Sequence, residues 1–126
     1  MSLLERINLS GDTVEIEPAE DDISEVAHVL SNDRRRATIE VLASGVDYRE
    51  LPVGLSKLCD LVTEYEVGSE FASQERKRVY IGLYQTHLRA MEEAGVIEWD
   101  DRNRVDHGPM FDAYREAMQS LREAAR

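Results

Sequence analysis

Residues 73–97 read Ser-Gln-Glu-Arg-Lys-Arg-Val-Tyr-Ile-Gly-Leu-Tyr-Gln-Thr-His-Leu-Arg-Ala-Met-Glu-Glu-Ala-Gly-Val-Ile. Ser73 suits a helix N-cap and Gly95 a helix stop, so the spacing predicts one long helix over 73–94. With successive residues about 100° apart, Tyr80, Tyr84, His87, Leu88, Met91 and Ala94 share a broad face, with Ile81 and Leu83 at its margins. That face is expected to pack on the core. Opposite it fall Arg78, Gly82, Gln85 and Arg89, flanked by Lys77 and Thr86.

Beyond Gly95, Val96-Ile97-Glu98-Trp99 reads as a strand, Asp100-Asp101-Arg102-Asn103 as a turn, and Arg104-Val105-Asp106-His107 as the returning strand. Upstream, helices are predicted over 23–30, 33–43 and 54–66, with a loop over 46–53 around Pro52. Asn32 or Asp33 caps the second of these, and Leu55, Leu58, Cys59, Val62 and Tyr65 form the apolar stripe of the third. A last helix covers 110–125. The fold class is therefore mostly α with a small β-hairpin: a winged helix-turn-helix plus a C-terminal helix. A small helical bundle with an incidental hairpin is the competing reading.

The outward side of 73–94 has the chemistry of a groove-reading helix. Arginine bonds bidentately to guanine O6/N7, and glutamine to adenine N6/N7. Gly82 costs about 1 kcal/mol relative to alanine in a helix interior, which suggests that a phosphate or base edge approaches the backbone there. The alternative is a solvated face on which Arg78 and Arg89 pair with Glu75 and Glu93. Arg102, Asn103 and Arg104 give the hairpin a basic tip able to reach phosphates or a minor groove. Arg34-Arg35-Arg36 is a further basic cluster, equally suited to phosphate contact and to pairing with nearby carboxylates.

The chain has 126 residues and a formal net charge of -11, with 42% hydrophobic and 33% charged residues. This length suits one domain. Residues 1–25 hold eight acidic side chains against Arg6 alone. We expect 1–21 to be a disordered acidic arm, the alternative being an arm that docks on the protein's own basic surface. Residues 22–108 form the winged-helix domain and 109–126 a C-terminal dimerisation element. Lys57 and Lys77 are the only lysines among 15 basic residues. An acidic, lysine-poor chain suits a halophile's cytoplasm, where molar salt screens charge over about 3 Å. No apolar run reaches the ~20 residues of a membrane span, and the start Met-Ser-Leu-Leu-Glu-Arg lacks the pattern of a secretory signal. Both point to the cytoplasm.

His87-Leu88 and the run through Ile97 resemble the His-Leu-x-x-Leu-x-x-Ala-Gly-[Val/Leu]-[Val/Ile] stretch joining recognition helix to wing in ArsR-like winged-helix regulators. Leu30-Ser31-Asn32-Asp33-Arg34-Arg35-Arg36 is similar to their entry to the first core helix. The run from Ser73 to Leu88 is similar to a haloarchaeal family of winged-helix domains sharing Ser-x-Glu-Arg-Lys-Arg-Val-Tyr-x-x-Leu-Tyr-Gln-Thr-His-Leu. The resemblance covers about 24–107 and implies a DNA-binding regulator, with Arg78, Gln85, Thr86 and Arg89 at recognition positions. Members often carry proline where this chain has Arg89, so its helix should continue unkinked with one more outward cation. The Cys pairs of metal-sensing relatives are missing, so metal sensing is not implied and no cofactor is expected.

His28, His87, His107 and Cys59 have no metal-ligand spacing. His87 is expected to be packed in the apolar face, and Cys59 buried and inert. No nucleophile elbow, P-loop or dinucleotide fingerprint occurs, so an enzyme is not expected. The last helix aligns Phe111, Tyr114, Met118 and Leu121 on a narrow seam. We expect this seam to form a homodimer interface, presenting paired helices to half-sites about 34 Å apart; the alternative is a helix folded back on its own domain. The expected partner is double-stranded DNA. The competing classes are a winged-helix module that docks a protein of the transcription machinery, and a sensor acting through Cys59 or a pocket under the long helix.

Overall fold

The computed structural model describes residues 20–126. The acidic arm therefore lies outside the described residues over 1–19. The elements are α1 (Glu20–Leu30), α2 (Asp33–Glu40, running on through a π turn at Val41–Gly45), β1 (Val53–Gly54), α3 (Leu55–Val67), α4, β2 (Ile97–Trp99), β3 (Arg104–His107) and α5 (Phe111–Ala124). Helix α4 comprises Ser73–Gly82, a π turn at Leu83–His87 and Leu88–Glu93. The architecture is mostly α-helical, with a small antiparallel sheet in the order β1-β3-β2 and a C-terminal helix.

Local chemistry fixes the ends of these elements. Asn32 Oδ1 accepts from the backbone N–H groups of Arg34 and Arg35 at 2.9 and 3.2 Å, capping α2. Helix α4 starts one residue earlier than Ser73 suggests: Ala72 is the N-cap, and its N–H donates to Glu75 Oε1 at 2.9 Å. At the other end Gly95 has φ +78°, with Gly95 N–H donating to the Glu92 carbonyl and Val96 N–H to that of Met91. Glycine meets this left-handed turn without a Cβ penalty, closing a Schellman motif. Strand β1 lies where the sequence suggested the end of a loop at 53 and the start of a helix at 54; Val53 pairs with Val105, and Gly54 with Arg104.

The core is continuous across all layers. Ile39 and Leu42 of α2, Leu58 and Val62 of α3, Leu83, Leu88 and Met91 of α4, and Ile97 and Val105 of the sheet are buried together. Helix α5 belongs to this core. Phe111, Tyr114 and Met118 are each at most 2% exposed within the single chain. His107 Nε2 lies 2.8 Å from the Leu42 carbonyl oxygen, and its ring stacks on Phe111 at 3.7 Å. Arg122 pairs with Glu40 of α2 at 2.8 Å. The dimer seam expected from Phe111, Tyr114 and Met118 is thus corrected: these side chains close their own domain, and Leu121, 56% exposed, is the member left outside. The same apolar stripe serves either role, and here the domain's own layer is adjacent in space.

Candidate nucleic-acid interface

The π turn decides which side of α4 looks outward. A π turn takes up one extra residue, so positions beyond it slip by about 100° relative to those before. Val79 before it, Leu83 and His87 at its two ends, and Leu88, Met91 and Ala94 beyond it are consequently all buried. A straight helix would place Val79 and Leu88 about 180° apart. This corrects the inward placement of Tyr84, while Tyr80 packs against the core as expected. Tyr80 is half-buried, and Tyr84 is 46% exposed, stacked on Tyr80 at 6.1 Å and edge-on to Trp99 at 5.7 Å.

The outward side carries Lys77, Arg78, Ile81, Gln85, Thr86 and Arg89, all exposed. Among the described residues no carboxylate pairs with Lys77, Arg78 or Arg89. Glu75, a possible partner of Arg78, is engaged at the N-cap instead. Arg76 points the other way. It bonds Asp60 and donates to Ser56 Oγ at 2.9 Å, tying α4 to α3, and the Asp60 carboxylate holds its guanidinium above the usual arginine range.

Gly82 does not belong to this outward side. A Cβ there would meet Arg34 Nη1 at 3.0 Å and His87 at 3.5 Å. The group that crowds the glycine is therefore the guanidinium of α2, not an incoming phosphate. Ile81, given only a marginal place from the sequence, takes the position between Arg78 and Gln85 at spacings of three and four.

The basic cluster of α2 is structural. Arg34 clamps Glu66 with bonds of 2.9 and 3.0 Å, which raises its pKa above the usual arginine value. Arg35, 7% exposed, donates from Nε to His87 Nδ1 at 3.1 Å and from Nη1 to the His28 carbonyl at 3.0 Å. Arg36 bonds the Leu30 carbonyl and Asp33. All three guanidinium groups are thus engaged within the domain. Burial, then the charges of Arg35 and Arg34, push the His87 pKa down, against the pull of Glu66. Burial raises the Cys59 thiol, whose Sγ donates to the Arg76 carbonyl at 3.4 Å.

At the hairpin tip Arg102 and Asn103 are exposed and Arg104 is half-buried. Asp100 accepts from the backbone N–H of Arg104 at 2.8 Å and of Arg102 at 3.0 Å, and from Arg104 Nε at 2.9 Å. These bonds, the Arg104 N–H first, hold its carboxyl below the usual aspartate range. Asn103 sits at φ +56°; its Oδ1 accepts from Trp99 Nε1 at 3.1 Å and its carbonyl from Leu55 N–H at 2.8 Å. Arg104 and Asn103 thus also shape the turn, and exposed Arg102 extends from it. The series Tyr80–Tyr84–Trp99–Asn103 links the flank of α4 to the hairpin tip, which fixes the hairpin relative to the helix.

A family model described as Domain of unknown function (DUF7344) matches residues 27–106. The chain belongs to this family. No curated protein and no solved structure matches it. The DUF7344 match runs from the end of α1 into β3, takes in the outward side of α4 and the hairpin tip, and ends before α5. Among the described residues no helix is long and apolar enough to cross a membrane, and no His, Cys, Asp and Glu side chains group to hold a metal ion.

Proposed function

We propose that this DUF7344 protein is a DNA-binding transcriptional regulator of the winged-helix type, working in the cytoplasm of a halophilic archaeon. Helix α4 enters the major groove through Lys77, Arg78, Gln85, Thr86 and Arg89, and Arg102 of the wing reaches the backbone beside it. The observation that carries this reading is the unpaired state of Lys77, Arg78 and Arg89 in a domain whose other arginines on α2 and α3–α4 contacts are all bonded. In a chain of net charge -11, cations without carboxylate partners along one helix side are the place where a polyanion gains most. Molar salt screens the repulsion between the acidic remainder and DNA.

The net acidity equally favours a second reading, a module that docks a basic or apolar surface of another transcription protein. Selection from a random duplex library at molar KCl, followed by footprinting, separates the two. Enrichment of one sequence protected over about one helical turn supports the regulator. A library that stays random, with a stable protein complex recovered from the native host, supports the docking module.

A further inference from the structure

Resting on the DNA-binding reading, we infer that Ile81 is a specificity residue that reads the C5-methyl group of a thymine. Of the residues on the outward side of α4, Ile81 is the apolar one without a covering partner, at 43% exposure. The other exposed apolar side chain of the helix, Tyr84, is engaged with Tyr80 and Trp99 in holding the wing. Ile81 stands three residues after Arg78, about 4.5 Å along the axis at 1.5 Å per residue, and four before Gln85, at most about 6 Å because Gln85 lies within the π turn. Base pairs are about 3.4 Å apart, so neighbouring members of this series address successive or alternate pairs. Arginine takes the acceptors of guanine and glutamine the edge of adenine, while an aliphatic branch has nothing to bond in the major groove except the thymine methyl. The series Arg78, Ile81, Gln85 therefore encodes a guanine, a thymine and an adenine in neighbouring pairs. The sequence placed a glycine at the centre of this surface; the π turn puts a branched side chain there instead.

The test needs no protein variant at its core. After selection of a preferred duplex at molar KCl, each thymine is replaced in turn by uracil, which removes only the methyl. One replacement should weaken binding about fourfold, the factor that corresponds to about 0.8 kcal/mol for one buried methyl. Ile81→Ala, checked by thermal melting, should bind the thymine duplex with the same loss and no longer distinguish thymine from uracil. If a sequence is selected but no uracil replacement changes affinity, or Ile81→Ala keeps the distinction, the thymine role is wrong and the regulator reading stands. If no sequence is selected, both fall.

Discussion

Arg35 donates from Nε to Nδ1 of His87 at 3.1 Å, joining α2 to the π turn of α4 inside the domain. The bond requires an unprotonated Nδ1, and burial with Arg35 alongside lowers the pKa of the ring. His87 therefore takes up a proton less readily in the folded protein than in the unfolded chain, where it titrates near 6.5. Below that pH the unfolded chain takes up a proton that the native one resists, so the linkage favours unfolding as pH falls. The stability contribution is complete above about pH 6.5 and is lost toward and through the lower folded value. Thermal melting between pH 7.5 and 5.5 should show a smaller loss in His87→Gln than in the wild type. Equal losses would remove His87 from this account.

Gly82→Ala separates two explanations of one glycine. Its Cβ meets the end of the Arg34 side chain, which is able to move a few tenths of an ångström. The helix gains about 1 kcal/mol from alanine, and the partly exposed Arg34–Glu66 pair is worth no more than that. Melting temperature should be unchanged or raised, and DNA affinity unchanged. A loss of affinity in a folded Gly82→Ala protein would restore close approach of DNA at this position. Gly108→Ala is the opposite case: its Cβ would stand 2.8 Å from Ile97 N and 2.9 Å from Val96 C, backbone atoms with nowhere to go. It should cost about 3 kcal/mol, read by chemical denaturation.

Met118 and Leu121 lie one turn apart on α5 and should respond oppositely. Met118 is 1% exposed, so Met118→Ala should destabilise by about 2–5 kcal/mol. Leu121→Ala should stay within about 0.5 kcal/mol. A dimer seam would instead make the melting temperature rise with protein concentration and make Leu121→Ala costly.

Cys59 should be chemically silent. It is fully buried and its thiol is raised by that burial, with Arg76 opposing. At pH 8 an aromatic disulfide reagent should react with the native protein at least about a hundredfold more slowly than with the denatured chain, since access requires opening. Reaction at the denatured rate would reopen a thiol sensor.

The outline of the fold was legible because its signals are local. Asn32 caps α2, Gly95 stops α4, and the burial of Leu55, Leu58, Cys59 and Val62 follows their spacing, although Tyr65, expected in the same stripe, is exposed near the end of α3. What the sequence obscured traces largely to one irregularity. The π turn at Leu83–His87 breaks the 3.6-residue period, so extrapolation back from Leu88 and Met91 turned Tyr84 inward, passed over Val79 and gave Ile81's place to Gly82. Helix propensity carries no mark of such a turn; only its packing against α2 and α3 reveals it. Two-residue β1 escaped notice because Val53 and Gly54 have no alternation to display, and the partner Val105 is 52 positions away. The roles of Arg34, Arg35 and Arg36 depend on Glu66, His87 and the ends of α1, distances that no local pattern encodes.

The most direct measurement is the salt dependence of DNA binding by wild type and by Arg78→Ala/Arg89→Ala on the selected duplex, across a KCl series reaching molar concentrations. The account predicts a folded double variant with affinity at least tenfold lower, since each bidentate base contact is worth about 1–3 kcal/mol, and a shallower slope of log affinity against log salt if either arginine also meets a phosphate. A folded double variant that binds the same duplex with wild-type affinity and slope would contradict it.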